Sequence, residues 1–426
     1  MLNMRNYFFI LALLAVLPFV SSCDGTEPNP NPGTSVNGKT VIVYISANNS
    51  LSTYAEGNFA DMLEGYMPPS KANGEHLLVF FHNRTTPPTL YELTRDGSGN
   101  PLKEEVHVFD MSSSSGDEDV SSSAEAVNTV LSYVKNNYES DHYGLILWSH
   151  STGWLPEHYY TEGPPAGYPN SEDAPVEPTS PMDIYGDAVV KMAVDDGVQP
   201  TSFGQDEGTL EEIDIKELAE AIPMHLDFLI FDSCLMGCVE VAYQFRNIAD
   251  VFCASPTEVL ANGFPYTHII EPLFTSAEGV KEVADLYFHY YADSEVPGAA
   301  ATVVVVDCSK LEPLAEACGK IFSENRYKVP ELDMSDIQPY FRSNKHWFYD
   351  LGAYIKALEP SSSLLDEFRQ AMREAVVYKA ATETFLSIQI TDFSGLSSYI
   401  QNPEEPYLDD YYRTLDWNKA TQMIAD

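Results

Sequence analysis

A thiol at Cys234 and an imidazole at His150 each close a short apolar run, Phe228-Leu229-Ile230-Phe231-Asp232-Ser233-Cys234 and Gly144-Leu145-Ile146-Leu147-Trp148-Ser149-His150. Together they could form a thiolate–imidazolium pair, the unit that attacks an acyl carbon and then passes a proton to the leaving group. An apolar run of this length bounded by polar groups reads as a strand buried on both faces, as in parallel sheets. The carboxyl ends of such strands are where α/β folds open their crevice. Cys238, Val241, Ala242, Phe245, Ile248 and Ala249 recur at helical spacing. The spacing therefore predicts a helix close behind Cys234, whose amino end would favour a thiolate and lend amides to an oxyanion. Ser151-Thr152-Gly153 after His150 is small enough for backbone amides to approach a substrate carbonyl. His82, ending Leu77–Phe81, is the rival base by position, whereas His142 and His225 begin strands at the opposite edge. A strand-end Cys or His can equally be a packed structural residue. Cys238 falls on the apolar face of the predicted helix, and Cys253, Cys308 and Cys318 sit in strand or helix patterns, so all four read as core.

The elements that must position these groups alternate. Thr40–Ser46, His76–His82 and Val251–Ala254 read as further strands, and Asn58–Tyr66, Ala124–Asn137, Leu210–Ala221 and Val239–Ala249 as helices. Leu90–Leu93 and Glu105–Phe109 read as a peripheral antiparallel ribbon. Beyond residue 300 come a strand (Ala301–Val306), a helix (Leu311–Glu324), Phe348–Leu358, a helix (Leu365–Tyr378) and Leu386–Ile390. This rhythm predicts an α/β sandwich, a mostly parallel sheet with helices on both faces. Residues 39–300 form its main domain, and 301–426 an α/β extension packed on the same sheet. Seven prolines within Leu155–Pro181 exclude regular structure there and predict a long surface loop beside the crevice, a lid or substrate wall.

The chain has 426 residues, with 64 Asp and Glu against 23 Lys and Arg, for a formal charge of -41. Such a surface repels nucleic acid and anionic lipid. Tyr7–Val20 is an apolar core of 14 residues behind Arg5, too short to span a bilayer and typical of a secretion signal over residues 1–22. Val20-Ser21-Ser22-Cys23 resembles the bacterial lipobox, so Cys23 is the expected lipidated residue, followed by a Pro/Asn tether to residue 38. The expected location is the cell envelope, with the membrane reached only through that anchor. The five remaining cysteines are an odd number, which leaves at least one thiol unpaired. No His-Glu-x-x-His or Cys/His ligand spacing occurs, and no cofactor is required. Asp195, Asp196, Asp206 and Glu207 are candidates for Ca2+, but they lack the register of an EF-hand and read as solvated charges.

Tyr143–Trp154 and Asp227–Tyr266 resemble the clostripain family of cysteine peptidases, relatives of caspases, legumains and gingipains. The match is most specific at Asp232-Ser233-Cys234-Leu235-Met236-Gly237 and from Ala254-Ser255-Pro256-Thr257-Glu258 to Asn262-Gly263-Phe264-Pro265-Tyr266. The resemblance implies a caspase-like fold, His150 as base, Cys234 as nucleophile, and an oxyanion hole from the amides of Cys234 and Ser151. It also implies a peptide or protein substrate cut after Arg or Lys, with acidic side chains around that residue, Asp232 among them. Two positions depart from the pattern. Ser151 stands where relatives commonly have Gly, and Asn262 stands at an acidic pocket position, leaving Asp232 and Glu258 to face the cation. Relatives are often cut between the two motifs, and Lys191-Met192-Ala193-Val194-Asp195-Asp196 resembles that processing sequence, which implies self-cleavage after Lys191. The competing reading is a catalytically inactive surface lipoprotein of the same frame that binds peptide or glycan.

Overall fold

The computed structural model describes residues 38–69, 74–112, 119–159, 163–168, 202–206, 209, 211–296, 298–341 and 347–425. The expected signal, Cys23 and Lys191 lie outside the described residues. Val, Ile, Thr and Tyr fill β1 (Lys39–Ala47), and its residues after Lys39 are buried in unbroken succession. Both faces of the strand are therefore covered, which suits β-branched side chains on a pleated surface. The same holds for much of β2 (Glu75–Asn83), β5 (His142–Trp148) and β6 (Leu226–Asp232).

These strands pair in parallel with β7 (Ala249–Ala254) in the order β7-β6-β5-β1-β2. An antiparallel meander, β3 (Thr86–Arg95) and β4 (Pro101–Val108), extends the sheet beyond β2 as the ribbon pattern predicted. At the other edge, β8 (Thr302–Asp307) runs antiparallel to β7. A two-residue strand, β9 (Tyr349–Asp350), pairs with Ser397–Ser398, and β10 (Val376–Ala381) then pairs with β8 to complete nine strands. The helices make two contact series. One comprises α1 (Ser52–Glu64), α5 (Tyr266–Thr275) and α6 (Gly279–Ala292). The other contains α2 (Ala124–Asn137), α3 (Ile215–Ala221), α4 (Val239–Gln244), α7 (Leu311–Asn325) and α9 (Ser362–Ala375), with α8 (Leu351–Ala357) beside β9.

Helix limits follow their caps. The Ser123 side chain accepts from the Ala126 amide at 3.2 Å, and Ala126, Val127, Val130, Leu131 and Val134 form the buried stripe of α2. α3 starts at Ile215 rather than Leu210, because the Asp214 carboxylate accepts from the Lys216 amide at 2.7 Å and fixes the first turn there. The helix predicted through Ala249 ends at Gln244; Ala249 is already the first residue of β7. Val376–Tyr378, predicted as the end of a helix, open β10, where two adjacent valines prefer extended backbone.

Chain order reverses at β1, with β2 on one side and β5 on the other. The crevice of a doubly wound sheet opens at such a switch point.

Candidate active site

β5 and β6 are adjacent and parallel, with Gly144 opposite Phe228 and Trp148 opposite Asp232. His150 and Cys234 therefore leave the sheet side by side, each two residues beyond the last paired position. Both are buried, at 1% and 0% exposure.

Beyond β6 the chain turns sharply. Leu235 takes φ +62, a left-handed conformation costing a non-glycine residue about 1–2 kcal/mol. Neighbouring hydrogen bonds hold it: Leu235 N–H donates to the Thr257 carbonyl (2.9 Å) and Gly237 N–H to the Ser255 carbonyl (2.8 Å). A Cβ at Gly237 would lie 2.4 Å from Pro256 N, so only glycine fits. The thiol is engaged as well. Val259 N–H donates to Cys234 Sγ at 3.2 Å, and the Val259 carbonyl lies 3.7 Å from it. α4 begins at Val239 with Cys238 as its cap, so a helix amino end directly behind Cys234 is not what the structure has. Instead, the carbonyl of Gly237 accepts from Ser397 N–H (3.0 Å), which ties the turn to the C-terminal segment. Burial pushes the Cys308 thiol up to about 12 and those of Cys238, Cys253 and Cys318 well above the ordinary range, as befits core cysteines.

His150 shares a 3.1 Å hydrogen bond with Ser50, through its Nε2 and the serine Oγ. Ser50 follows β1, so the switch point supplies this partner. Residues 202–204 run alongside the turn: Thr152 N–H donates to Ser202 O (3.1 Å) and Gly204 N–H to His150 O (2.9 Å). That antiparallel pair uses His150 and Thr152 and leaves the Ser151 amide outside the ladder. The serine in place of glycine fits without a positive φ and adds a tie, its Oγ donating to the Cys234 carbonyl at 2.5 Å. Gly153 does need its φ of +64, and a Cβ there would meet Leu235 O at 2.7 Å. The two turns are thus built against each other.

His82 is not placed to serve Cys234, because β1 and β5 stand between β2 and β6. Its Nδ1 lies 2.7 Å from Ser121 Oγ and 3.7 Å from Asp206 Oδ1, and burial lowers its pKa to about 4. Asp206 accepts from the amides of Ser121 (2.8 Å) and Ser122 (2.6 Å) and from Ser121 Oγ (3.1 Å). Burial nevertheless raises its pKa to about 6, against the pull of those bonds. Ser46 Oγ joins the cluster at 2.8 Å from both serine hydroxyls, and its carbonyl accepts from Ser149 Oγ at 2.7 Å. Asp206 is therefore a buried clasp rather than a solvated charge. Asp195, Asp196 and Glu207 lie outside the described residues, and no group of three or more His, Cys, Asp or Glu among the described residues could hold a metal ion. His142 and His225 pair with Asp227 (3.0 Å) and Asp250 (3.0 Å) at the far edge of the sheet.

Of the acidic candidates, Asp232 is fully buried, and its Oδ2 accepts from Phe264 N–H (3.2 Å) and Tyr266 Oη–H (3.0 Å). It thus anchors the Phe264-Pro265-Tyr266 segment over the end of β6. Glu258 is buried, with its backbone carbonyl accepting from Thr257 Oγ1 at 3.0 Å. Asn262 lies on the exposed turn, where its carbonyl accepts from Asn58 Nδ2 (2.8 Å), while Asn58 Oδ1 accepts from Trp148 Nε1 (2.9 Å). Sequence reading missed Ser50, Asn58, Val259, Ser397 and the clasp role of Asp206. A signal did exist for Ser50, since Ser46-Ala47-Asn48-Asn49-Ser50 turns polar at a buried strand's carboxyl end.

An α/β sandwich with Cys and His emerging from adjacent parallel strands defines a caspase-like cysteine peptidase. Residues 43–171 and 185–424 match the clostripain family, and the chain belongs to it. It is 25% identical to clostripain of Hathewaya histolytica over 250 residues, 54% of this chain but 41% of that protein, so the match spans less than half of that relative. The X-ray structure of an inactive zymogen C11 protease from Parabacteroides distasonis superposes with a TM-score of 0.71 at 28% identity, covering 92% of this chain and 99% of that one. A secreted C11 cysteine protease from Bacteroides thetaiotaomicron, in complex with an irreversible peptide inhibitor, gives 0.71 at 26% identity, covering 90% and 98%.

Proposed function

We propose that the chain is an endopeptidase cutting after Arg or Lys through Cys234 and His150. The carrying observation is the register of β5 on β6, which delivers both groups to one end of the sheet. His150 takes the thiol proton, and the thiolate attacks the scissile carbonyl. The amides of Cys234 and Ser151 stabilise the oxyanion, and the imidazolium protonates the leaving amine. Water then hydrolyses the thioester. Asp232 and Glu258, buried around the 254–266 segment, support a basic residue before the cut, and a formal charge of -41 draws basic peptides in. A fluorogenic panel varying that residue tests both halves. Cys234→Ala should abolish turnover while Cys238→Ala keeps it; turnover surviving in the Cys234 variant rejects the mechanism, and a preference for acidic or apolar residues rejects the specificity.

Burial of both reactive groups supports a latent form opened by self-cleavage after Lys191. New N-termini at Met192, together with an inert Lys191→Ala protein, are the expected results; full activity of an uncut Lys191→Ala protein refutes it. The leader and Cys23 support export and lipid anchoring in the envelope, tested by palmitate labelling lost in Cys23→Ser. The mechanism requires no cofactor and leaves Ca2+ as a candidate ligand, so an unchanged rate under chelation is the expected result and a lost rate would assign a role to Ca2+. Burial of Cys234 also fits an inert peptide- or glycan-binding lipoprotein, and labelling of Cys234 by a basic irreversible peptide separates the two.

A further inference from the structure

Four cations meet at one cavity far along the sheet from β5. α8, α9, β10 and the segment around Ser394 line an open hollow of about 410 Å3. α9 contributes Arg369 and Arg373, a turn apart on one face, while α8 contributes Lys356 and β10 contributes Lys379. Among the described residues, Asp392 is the one carboxylate in the lining, and Asp350 lies just behind it, accepting from the Ser394 amide at 2.6 Å, which leaves a local charge of +2 (4 - 2) in a chain carrying -41.

Acidic residues outnumber Lys and Arg by 64 to 23 in this chain, so counterions for these cations were abundant. They are scarcely used. Lys356 and Arg373 enter no ion pair among the described residues. Arg369 reaches Asp366 only at 3.7 Å, with both side chains more than half exposed, a pairing of little worth. The Lys379 ammonium donates to the Phe393 carbonyl and feels the Asp350 carboxylate, but enters no direct ion pair among the described residues. Holding four like charges around one hollow is unfavourable by itself, and an anion there removes the repulsion. Behind the charges, Phe368 and Met372 are buried and close the floor with apolar surface. The volume falls in the range of small-molecule pockets, and two guanidinium forks at one helical turn suit planar or tetrahedral oxyanions in bidentate fashion.

We propose that this cavity binds a compact anion of small-molecule size carrying two or more phosphate, sulfate or carboxylate groups. Because the rest of the surface repels anions, binding is local to these four side chains and weakens with added salt.

Isothermal titration of the full chain with pyrophosphate, citrate and acetate provides the test. Pyrophosphate and citrate should each bind saturably at one site and acetate should not; pyrophosphate alone would assign the site to phosphate-type groups. The double variant Lys356→Gln/Arg373→Gln should weaken binding at least about tenfold, as expected for charge-assisted hydrogen bonds. Lys320→Gln, outside the cavity, should leave it unchanged. These side chains are exposed, so the variants should melt as the parent does; Arg369→Gln serves where the double variant does not. Absence of saturable binding of either polyanion, or equal binding by parent and double variant, overturns the proposal.

Discussion

Replacing His82 with Asn should alter how stability responds to acid. In the fold, burial lowers this imidazole from 6.5 to about 4, so the neutral form is the one that fits. The sign follows: stability is complete above the unfolded value and drains away as pH falls through 6.5 toward 4. Between about pH 7.5 and about pH 5 that loss is about 2 kcal/mol. Asp206 works the other way. Its carboxyl is raised from 3.8 to about 6, so its penalty is relieved as pH falls through that window, returning about 1 kcal/mol at pH 5. The parent should thus lose less than about 1 kcal/mol from this pair, and His82→Asn should instead gain about 1 kcal/mol. An Asn amide can still reach Ser121 Oγ, so the cluster keeps a hydrogen bond in place of the 2.7 Å contact. Urea melts of both proteins at the two pH values read the difference of differences, about 2 kcal/mol, whatever the variant's baseline. Parallel pH responses would show that the imidazole is not held neutral, and the reasoning would fail.

Gly237→Ala forces a Cβ to 2.4 Å from Pro256 N, backbone that cannot swing aside. Chemical melts should show a loss of at least about 2 kcal/mol, with slower labelling of Cys234. Asn58→Ala strips the Trp148 indole N–H and the Asn262 carbonyl of a shared partner, at a cost of about 1–3 kcal/mol for the buried donor; peptide kinetics should show the larger change in KM, because the 262 turn loosens. Ser151→Ala removes the 2.5 Å tie to the Cys234 carbonyl and should lower kcat about tenfold or more while KM moves little; an unchanged kcat would show that the tie does not position the turns.

The parts of the fold that could be read from sequence were those whose cause is local. Strands buried on both faces announce themselves as apolar runs, and α2 is bounded by Ser123 and a regular stripe, so its limits agree to the residue. The end of α4 failed because Phe245, Ile248 and Ala249 keep apolar spacing across the break into β7. His82 looked like a base because it too ends a strand, yet its surroundings come from Ser121 and Asp206, distant in sequence and joined only by folding. The reading of Cys234 and His150 as a pair required no knowledge of intervening residues, since neighbouring parallel strands present equivalent ends. Ser151 was legible as a departure but not as a fastening, because a hydroxyl's partner is fixed by the turn it faces.

β5 and β6 lie on opposite sides of residue 191, and so do His150 and the 202–204 segment that borders it. A nick there would leave two polypeptides, each holding a contiguous block of strands, joined along the β5–β6 seam of one sheet, so they should co-migrate until denatured. The gene could then be divided at that codon and the halves expressed separately, each carrying one reactive group. Neither half would be competent alone, and their assembly would work as a fragment-complementation reporter.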